Sequence, residues 1–331
     1  MPDRLAVVAI GGNSLIEDPS QPDIPHQWDA VRTTAAHIAA MCAAGWRVVL
    51  THGNGPQAGF ALRRNELAAS EMFTEPMDII VAGTQGTIGY MLQQALANEF
   101  NVRNMDRQVV TLLTQTQVDV GDPAFDTPSK PIGGYLTPEA AEQFRAEGWD
   151  VIEDAGRGMR RVVASPPPQQ VVELPAIRSL VGAGFVVIAG GGGGVPVSIH
   201  KNREYRGAPA VIDKDRTAAL IAGALHADLF LISTAVERVA LHYNTPQQQW
   251  LDHMTPQEAL HYQQEGHFAR GSMMPKIEAV VSFVTETGGE AIITNPPNIL
   301  RALEGQAGTH ITVDSAGLTG KIEETHGKES Q

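Results

Sequence analysis

Short apolar segments that end in glycine turns are the feature of this sequence that most limits its fold. Leu5–Ile10 leads into Gly11-Gly12, Arg47–Thr51 leads into a His-Gly-Asn-Gly turn, and Phe185–Ala189 leads into five consecutive glycines. Runs of valine, isoleucine and leucine without alternating polar residues are typical of strands that are buried on both faces. Further predicted strands are Val109–Leu113, Leu229–Ser233, Glu290–Thr294 and His310–Val313.

Helical segments alternate with these strands along the chain. The predicted helices are Trp28–Ala44, Gly83–Phe100, Thr217–Leu225, Lys276–Thr287 and Asn298–Glu304. Strands that alternate with helices usually form a mostly parallel sheet with helices on both faces. The sequence therefore predicts an α/β protein, a three-layer αβα sandwich built around an open, mostly parallel sheet.

Two segments depart from this alternation. Residues 119–170 contain several prolines and the charged run EDAGRGMRR, without a clear strand-turn-helix unit. A structureless loop of that length is uncommon inside a compact domain, so we expect a small protruding subdomain that acts as a lid. Residues 314–331 are polar and weakly patterned, which is typical of a frayed tail.

Charge and composition exclude several classes of protein. The formal net charge of the 331-residue chain is −13, whereas nucleic-acid-binding proteins carry basic patches. Its one cysteine, Cys42, excludes an intramolecular disulfide and lies in an alanine-rich helical pattern that predicts burial. No apolar run approaches the roughly 20 residues of a membrane span, and the N-terminus lacks a signal-peptide cleavage site. We therefore expect a cytoplasmic protein that binds neither nucleic acid nor membrane.

The glycine turns are candidate anion sites. A glycine turn between a strand and a helix leaves backbone N–H groups free at the helix N-terminus, where the helix dipole also favours an anion. For any single turn, a plain tight turn remains an alternative. Here Gly11-Gly12, Gly53-Asn54-Gly55 and Gly190–Gly194 all follow strands, at the edge where open α/β sheets bind ligands.

Lysines are scarce, and three of them stand in unusual contexts. Lys130 lies in the predicted lid, Lys214 lies in the sequence Val-Ile-Asp-Lys-Asp before a helix, and Lys276 lies at a helix start. A lysine at a helix N-terminus opposes the helix dipole, and an anion shared with the free amides would offset this. Solvated surface lysines are the alternative. Asp215 could orient the ammonium groups, approach a metal, or simply cap its helix.

These features together indicate phosphoryl transfer without a P-loop. No G-x-x-x-x-G-K-[ST] motif occurs in the chain, and Val195-Pro196 follows the five glycines where a dinucleotide-binding helix would begin. Phosphoryl transfer depends mainly on positioning and charge neutralisation, both of which glycine amides and lysines supply.

Several longer stretches resemble the amino acid kinase superfamily and, within it, the carbamate kinases. The matching stretches are VVAIGGNSL, THGNGPQAG, PMDIIVAGTQGTIGYMLQQAL, KPIGG, EDAGRGMRRVV, VIAGGGGGVPV, AVIDKD, AVERVALHYNTPQQQWLDHMT and HFARGSMMPKIEA. The resemblance runs from about residue 5 to residue 313. Most of the superfamily has lysine two residues before the first Gly-Gly, where this chain has Ala9. Carbamate kinases also lack that lysine and supply the charge from the lid, which corresponds to Lys130.

The resemblance implies roles for individual residues. Lys130, Lys214 and Lys276 would contact the transferring phosphoryl and nucleotide phosphates, and Asp215 would organise the lysines. The implied acceptor-binding residues are Gly11, Gly12, Asn13, Gly53, Asn54 and Gly55. The implied nucleotide-binding residues are Ala235, Val236, Tyr243, Met274 and Lys276, with the segment Ala235–Tyr243 lining the adenine pocket.

It also implies an organisation and a reaction. Residues 1–313 would form the kinase domain, with an acceptor-binding part (about 1–225) and a nucleotide-binding part (about 226–313). Residues 119–170 would be the lid subdomain and residues 314–331 the tail. The family is homodimeric, uses ATP or ADP with Mg²⁺, and interconverts carbamoyl phosphate plus ADP with carbamate plus ATP, commonly in arginine breakdown. Carbamate is already ionised, so no general base is required.

Three departures from the carbamate kinase pattern keep alternatives open. Met274 stands where the family usually has glycine, and Gly133-Gly134-Tyr135-Leu136 replaces Gly-Pro-Phe-Tyr in the predicted lid. Ser165-Pro166-Pro167-Pro168 replaces a pattern that has a lysine between prolines. The alternatives are a related acid kinase with a different small acceptor, and a catalytically weak nucleotide-binding sensor on the same fold.

Overall fold

Seventeen strands and nine helices are described in a computed structural model that covers residues 4–12, 15–16, 18, 20–154, 158–269 and 271–314. In chain order the strands are β1 (Leu5–Ile10), β2 (Arg47–His52), β3 (Val109–Thr111), β4 (Gln115–Gln117), β5 (Lys130–Leu136), β6 (Val151–Glu153), β7 (Met159–Val163), β8 (Gln170–Val171), β9 (Val186–Ile188), β10 (Val195–Ile199), β11 (Tyr205–Gly207), β12 (Leu229–Ser233), β13 (Val239–Leu241), β14 (Gln249–Leu251), β15 (His253–Met254), β16 (Glu290–Thr294) and β17 (Thr309–Ile311). The helices are α1 (Ile24–Ala43), α2 (Gly55–Ala68), α3 (Met77–Val102), α4 (Pro138–Ala146), α5 (Leu174–Gly182), α6 (Lys214–Ala224), α7 (Pro256–Gln264), α8 (Met274–Thr287) and α9 (Ile299–Leu303).

Eight of the strands form the central sheet, in the order β15-β17-β16-β12-β1-β2-β9-β3. All neighbouring strands are parallel except β16 and β17. Because β1, β2, β9 and β12 run in the same direction, their carboxyl ends share one edge of the sheet. The prediction of an open, mostly parallel sheet is confirmed.

Apolar side chains pack on both faces of this sheet. One core cluster joins the sheet to α5, α6, α7 and α8, and a second joins it to α1, α3 and α9. This confirms the predicted three-layer αβα sandwich. Cys42 of α1 is buried in the second cluster, as its sequence context predicts.

The predicted strands match closely, and four of the five predicted helices begin too late. Three of the strands, β1, β12 and β16, have the predicted bounds. Helix α1 begins at Ile24, not Trp28, because Asp23 caps it by accepting a hydrogen bond from His26 N. Helix α3 begins six residues before the predicted Gly83, directly after Pro76.

Residues 130–163 form a separate unit that we call the inserted sheet. Its three antiparallel strands have the order β5-β7-β6, and α4 connects β5 to β6. The structure therefore contains a strand-turn-helix unit that the sequence pattern of residues 119–170 does not make clear. Pro131, Gly133 and Gly134 lie within β5 and weaken its strand signal in the sequence.

Two smaller sheets complete the architecture: a four-stranded sheet of the order β11-β10-β4-β8, and the hairpin β13-β14. No helix among the described residues is long and apolar enough to cross a membrane. Asn13, part of the charged run (residues 155–157) and the predicted tail from residue 315 lie outside the described residues.

Candidate active site

Two of the glycine turns meet at the carboxyl edge of the central sheet. Strands β1 and β2 are parallel neighbours, and Gly53 N donates a hydrogen bond to Ile10 O over 3.1 Å. A Cβ atom on Gly53 would lie 3.9 Å from Gly12 N and 3.5 Å from Cδ of Lys214. The turns after β1 and β2 and the Lys214 side chain therefore face the same small space.

Helix α6 begins in this space, and Asp213 fixes its first turn. One carboxylate oxygen of Asp213, Oδ1, accepts from Asp215 N over 2.9 Å and from Arg216 N over 3.4 Å. Asp213 is thus the N-cap of α6, a function that sequence spacing alone also allowed for Asp215. The cap leaves Lys214 and Asp215 as the first two residues of the helix.

Three lysines from three different elements share two aspartates at this point. Lys214 Nζ lies 2.5 Å from Asp215 Oδ1, and Lys276 Nζ lies 3.1 Å from Asp215 Oδ2. Lys130 Nζ of the inserted sheet lies 3.0 Å from Asp213 Oδ2. The structure therefore brings together all three lysines that the sequence singles out.

The ionisation of this cluster follows from burial and mutual attraction. Burial alone would raise the pKa values of Asp213 and Asp215, but the neighbouring ammonium groups outweigh it and hold both below their usual range. Burial lowers the pKa of Lys214, whereas for Lys276 the attraction of the two aspartates outweighs burial and raises the pKa. Three lysine side chains face two carboxylates here, so the lysines outnumber the acidic groups at the place where an anionic ligand would bind.

The turn of five glycines, in contrast, is filled by the protein itself. Gly190–Gly194 are buried, and Cβ atoms on Gly191 and Gly192 would lie 2.3 Å from His52 Nε2 and 2.2 Å from Asn54 Nδ2. Thr217 of α6 donates its hydroxyl to Gly193 O over 2.8 Å. The five-glycine turn therefore packs against the residues of the Gly53–Gly55 turn and against the start of α6. The sequence predicts an open anion site at this turn, and the structure differs from that prediction.

The inserted sheet reaches the site across helix α2. This helix begins at Gly55, and a Cβ atom on its Gly59 would lie 2.1 Å from Gly133 Cα of β5. The two backbones therefore touch at a point where neither residue has a side chain. Since Lys130 is the first residue of β5, this contact helps to set where its side chain enters the site.

Comparison with known proteins identifies the family. A sequence model of the amino acid kinase family matches residues 4–295. The chain belongs to the amino acid kinase family. Since the match begins just before β1 and ends just after β16, this kinase domain includes both glycine turns, the inserted sheet and all three lysines of the site.

Within the amino acid kinase family, the chain is similar to carbamate kinases. A carbamate kinase-like protein of Escherichia coli strain K12 is 47% identical over 312 residues, covering 93% of this chain and 98% of that protein. The carbamate kinase of Pyrococcus horikoshii is 46% identical over 315 residues, covering 94% and 100%. Two solved structures of the carbamate kinase of Giardia lamblia are each 38% identical to this chain, and each match covers 95% of this chain and 99% of the Giardia chain. The TM-score is 0.90 for the structure with citric acid and 0.85 for the structure with AMP-PNP.

The nucleotide-binding candidates of this amino acid kinase follow strand β12 in the chain. Ala235 and Val236 come shortly after the carboxyl end of β12, and Tyr243 lies half exposed in the β13-β14 hairpin against Trp250. Met274 begins α8, two residues before Lys276, and packs against the core cluster of α6 and α8.

Sequence reasoning missed Asp213 as a site residue. Its pairing with Lys130 joins residues that are 83 positions apart, which no local pattern reveals. The available signal was weak, because Asp213 lies four residues before the predicted helix Thr217–Leu225, and aspartate is a preferred N-cap only directly before a helix.

Proposed function

We propose that this protein is a carbamate kinase, which transfers a phosphoryl group reversibly between carbamoyl phosphate and ADP. The observation that carries this proposal is the arrangement of three lysines on the buried Asp215 and the partly buried Asp213, beside the glycine turns at the carboxyl edge of the sheet. The likeness to carbamate kinases over more than nine-tenths of the chain supports the same activity.

The reaction in the direction of ATP synthesis breaks one bond and makes one. A terminal oxygen of ADP attacks phosphorus, the bond between phosphorus and the carbamate oxygen breaks, and carbamate leaves as an anion. No proton is transferred, so the chemistry requires charge neutralisation and alignment, not a general base. Lys214 and Lys276 would neutralise charge on the moving phosphoryl group, and Asp215 holds their ammonium groups in place.

The two ligands would bind on opposite sides of these lysines. For the acceptor side we propose Gly11, Gly12, Asn13, Gly53, Asn54 and Gly55, within the part from about residue 1 to 225. For the nucleotide side we propose Ala235, Val236, Tyr243, Met274 and Lys276, within the part from about residue 226 to 313. In this arrangement the inserted sheet is the lid that brings Lys130 over the acceptor.

Magnesium would enter this site with the nucleotide. The oxygens of Asp213 and Asp215 each accept at least one hydrogen bond from a protein donor. Among the described residues, no group of three or more His, Cys, Asp or Glu side chains is arranged to hold a metal ion. Since Mg²⁺ in kinases is bound largely by phosphates and water, we propose MgADP and MgATP as the nucleotide substrates.

We further propose a cytoplasmic homodimer that forms through α3 and the edge strand β3. A concave surface of about 660 Å³ lies between these elements, and its lining includes Tyr90 and Leu113, which are 58% and 52% exposed. Exposed apolar side chains around a concave surface are typical of protein interfaces.

A coupled assay tests the activity. Purified protein with ADP, Mg²⁺ and carbamoyl phosphate should produce ATP, and Lys130→Ala and Lys276→Ala should each lower kcat/KM by about 100-fold or more. Lys201→Ala, at an exposed lysine, serves as the matched control and should leave the rate unchanged. A parent protein that binds nucleotide but makes no ATP would contradict the proposal and favour a sensor, and two fully active lysine variants would contradict the site.

A second candidate is a related acid kinase with a different small acceptor. Residues Gly134, Tyr135 and Leu136 of β5 differ from the carbamate kinase pattern in the strand that carries Lys130. The reverse assay, with ATP and a panel of small carboxylic acids beside bicarbonate and ammonia, separates the two, because only a carbamate kinase depends on both of the latter.

A further inference from the structure

We infer that Asp213 is a positioning residue that docks Lys130 of the inserted sheet onto the start of helix α6. The inference rests on the proposed function, because it concerns how one lysine of that site is placed. No sequence motif singles out Asp213; its position between the inserted sheet and α6 does.

The two carboxylate oxygens of Asp213 hold two different elements. Oδ1 accepts from the backbone of the first turn of α6. Oδ2 accepts from Lys130 Nζ at 3.0 Å, with the two side chains 19% and 21% exposed. One side chain therefore fixes both the helix that presents Lys214 and Asp215 and the lysine that arrives from a separate sheet.

Partial burial makes this pair stronger than a surface ion pair. Surface pairs are weak because water screens them and their long side chains lose freedom. Here the backbone of Lys130 is already held by its pairing with Val163 of β7, so only the side chain loses freedom when the ammonium group docks. The surrounding lysines keep the pKa of Asp213 well below its usual range, in spite of burial, so the carboxylate stays charged.

The inserted sheet thus contacts the rest of the protein at two places, which differ in the kind of contact. Around α2 the contact consists of the Gly59–Gly133 backbone approach and the ion pair of Arg161 with Glu66. At the start of β5 it is the Lys130–Asp213 pair. The first contact sets where the sheet lies, and the second aims its lysine into the site before substrate arrives, which lowers the reorganisation that the reaction requires.

An Asp213→Asn variant separates the two functions of this side chain. Asparagine caps a helix about as well as aspartate, but its amide nitrogen is a donor and cannot accept from Lys130 Nζ. We expect kcat/KM for carbamoyl phosphate to fall at least about tenfold, since small misplacements of reacting groups are costly. In the Lys130→Ala background the same change should cause no further loss.

Hydrogen exchange gives a second measurement that does not depend on activity. Asp213→Asn and Lys130→Ala should both speed amide exchange in residues 130–136, and the double variant should add nothing. The first turn of α6 should stay protected in Asp213→Asn. The matched control is Asp23→Asn, which changes the N-cap aspartate of α1, whose carboxylate pairs with a histidine and not a lysine; it should leave both segments unchanged.

The outcomes are distinct. Any one of three results would overturn the inference. The first is that Asp213→Asn causes the same loss of activity in the parent and in Lys130→Ala. The others are that amide exchange in residues 130–136 is unchanged in Asp213→Asn, or that only α6 loses protection. If the parent makes no ATP, the proposed function fails, and the exchange comparison still decides whether Asp213 docks Lys130. If Asp213→Asn does not fold, Asp213→Ser, which keeps a capping hydroxyl, takes its place in both measurements.

Discussion

His52, the last residue of β2, is buried directly beneath the Gly53–Gly55 turn. Its ring Nδ1 donates to Gly53 O over 2.9 Å, and its other nitrogen faces Gly191 of the buried glycine turn. Burial lowers the pKa of His52 to about 4, in spite of the hydrogen bond to Gly53. The imidazole is therefore neutral at pH 7, and its hydrogen bond stabilises the turn.

This burial links stability to pH. A histidine whose pKa is lower in the folded state than in the unfolded state contributes stability above about pH 6.5 that is lost as the pH falls towards 4. Between pH 7 and pH 5 the free energy of unfolding should fall by about 2 kcal/mol from this residue. Urea unfolding of the parent and of His52→Gln, at both pH values, measures the difference.

In His52→Gln the amide can still donate to Gly53 O, but it does not titrate, so the pH dependence of unfolding should be shallower than in the parent. Equal slopes in the two proteins would show that another group is responsible.

Single residues also show where sequence reasoning succeeds and where it ends. Lys214 and Asp215 are adjacent to each other at a helix start, so their pattern is visible locally. The docking of Lys130 on Asp213, and the filling of the five-glycine turn by His52 and Asn54, depend on contacts between distant segments. Such contacts leave no local signal, because each partner alone looks like an ordinary polar or glycine residue.

Among the elements, the sequence signal follows burial. Strands β1 and β12 are covered on both faces, so an unbroken apolar run marks them. The strands of the inserted sheet are only partly buried, β6 has only three residues, and β5 contains a proline and two glycines. The short edge strand β15 has only two residues. The sequence therefore predicts the central sheet well and the inserted sheet poorly.

The crossing of α2 and β5 allows a test of how the inserted sheet is placed. A methyl group on Gly59 would lie 2.2 Å from Gly133 N, so Gly59→Ala must push β5 away from α2. We expect a loss of about 1–3 kcal/mol in stability and a drop in kcat/KM for carbamoyl phosphate larger than the change in KM for ADP. Thermal unfolding and steady-state kinetics provide the two measurements.

Gly83 offers the matched control, because a Cβ atom there meets open space within helix α3. Gly83→Ala should stabilise the protein slightly, since alanine is a better helix former by up to about 1 kcal/mol. If Gly59→Ala behaves like Gly83→Ala, the close approach of the two backbones does not position β5.

Across the whole molecule, the acidic surface and the cationic site have opposite charges. The chain has a net charge of −13, yet the three lysines outnumber the two aspartates at the carboxyl edge of the sheet. A local cluster of lysines that excludes water can bind an anion even though the more distant negative charges of the protein repel it. Net charge alone therefore says little about which small molecules a protein of this kind accepts.

The proposed dimer is the prediction that belongs to this scale. Replacing Tyr90 and Leu113 together by arginine places two charges on the exposed apolar surface of α3 and β3, and should shift the protein from dimer to monomer in sedimentation experiments. Leu260→Arg, on the exposed face of α7 in the opposite helix layer, is the control and should leave the mass unchanged. A double variant that still sediments as a dimer would place the interface elsewhere.

The buried position of Cys42 has a practical consequence for spectroscopic experiments on this kinase. Burial raises the pKa of its thiol to about 11, although Arg107 works against this, so almost none of it is thiolate at neutral pH. It is also the chain's one cysteine. A second cysteine at the exposed Glu153 of β6 would therefore take up a fluorophore or spin label selectively, and the movement of the inserted sheet could be followed by spectroscopy in an otherwise native sequence.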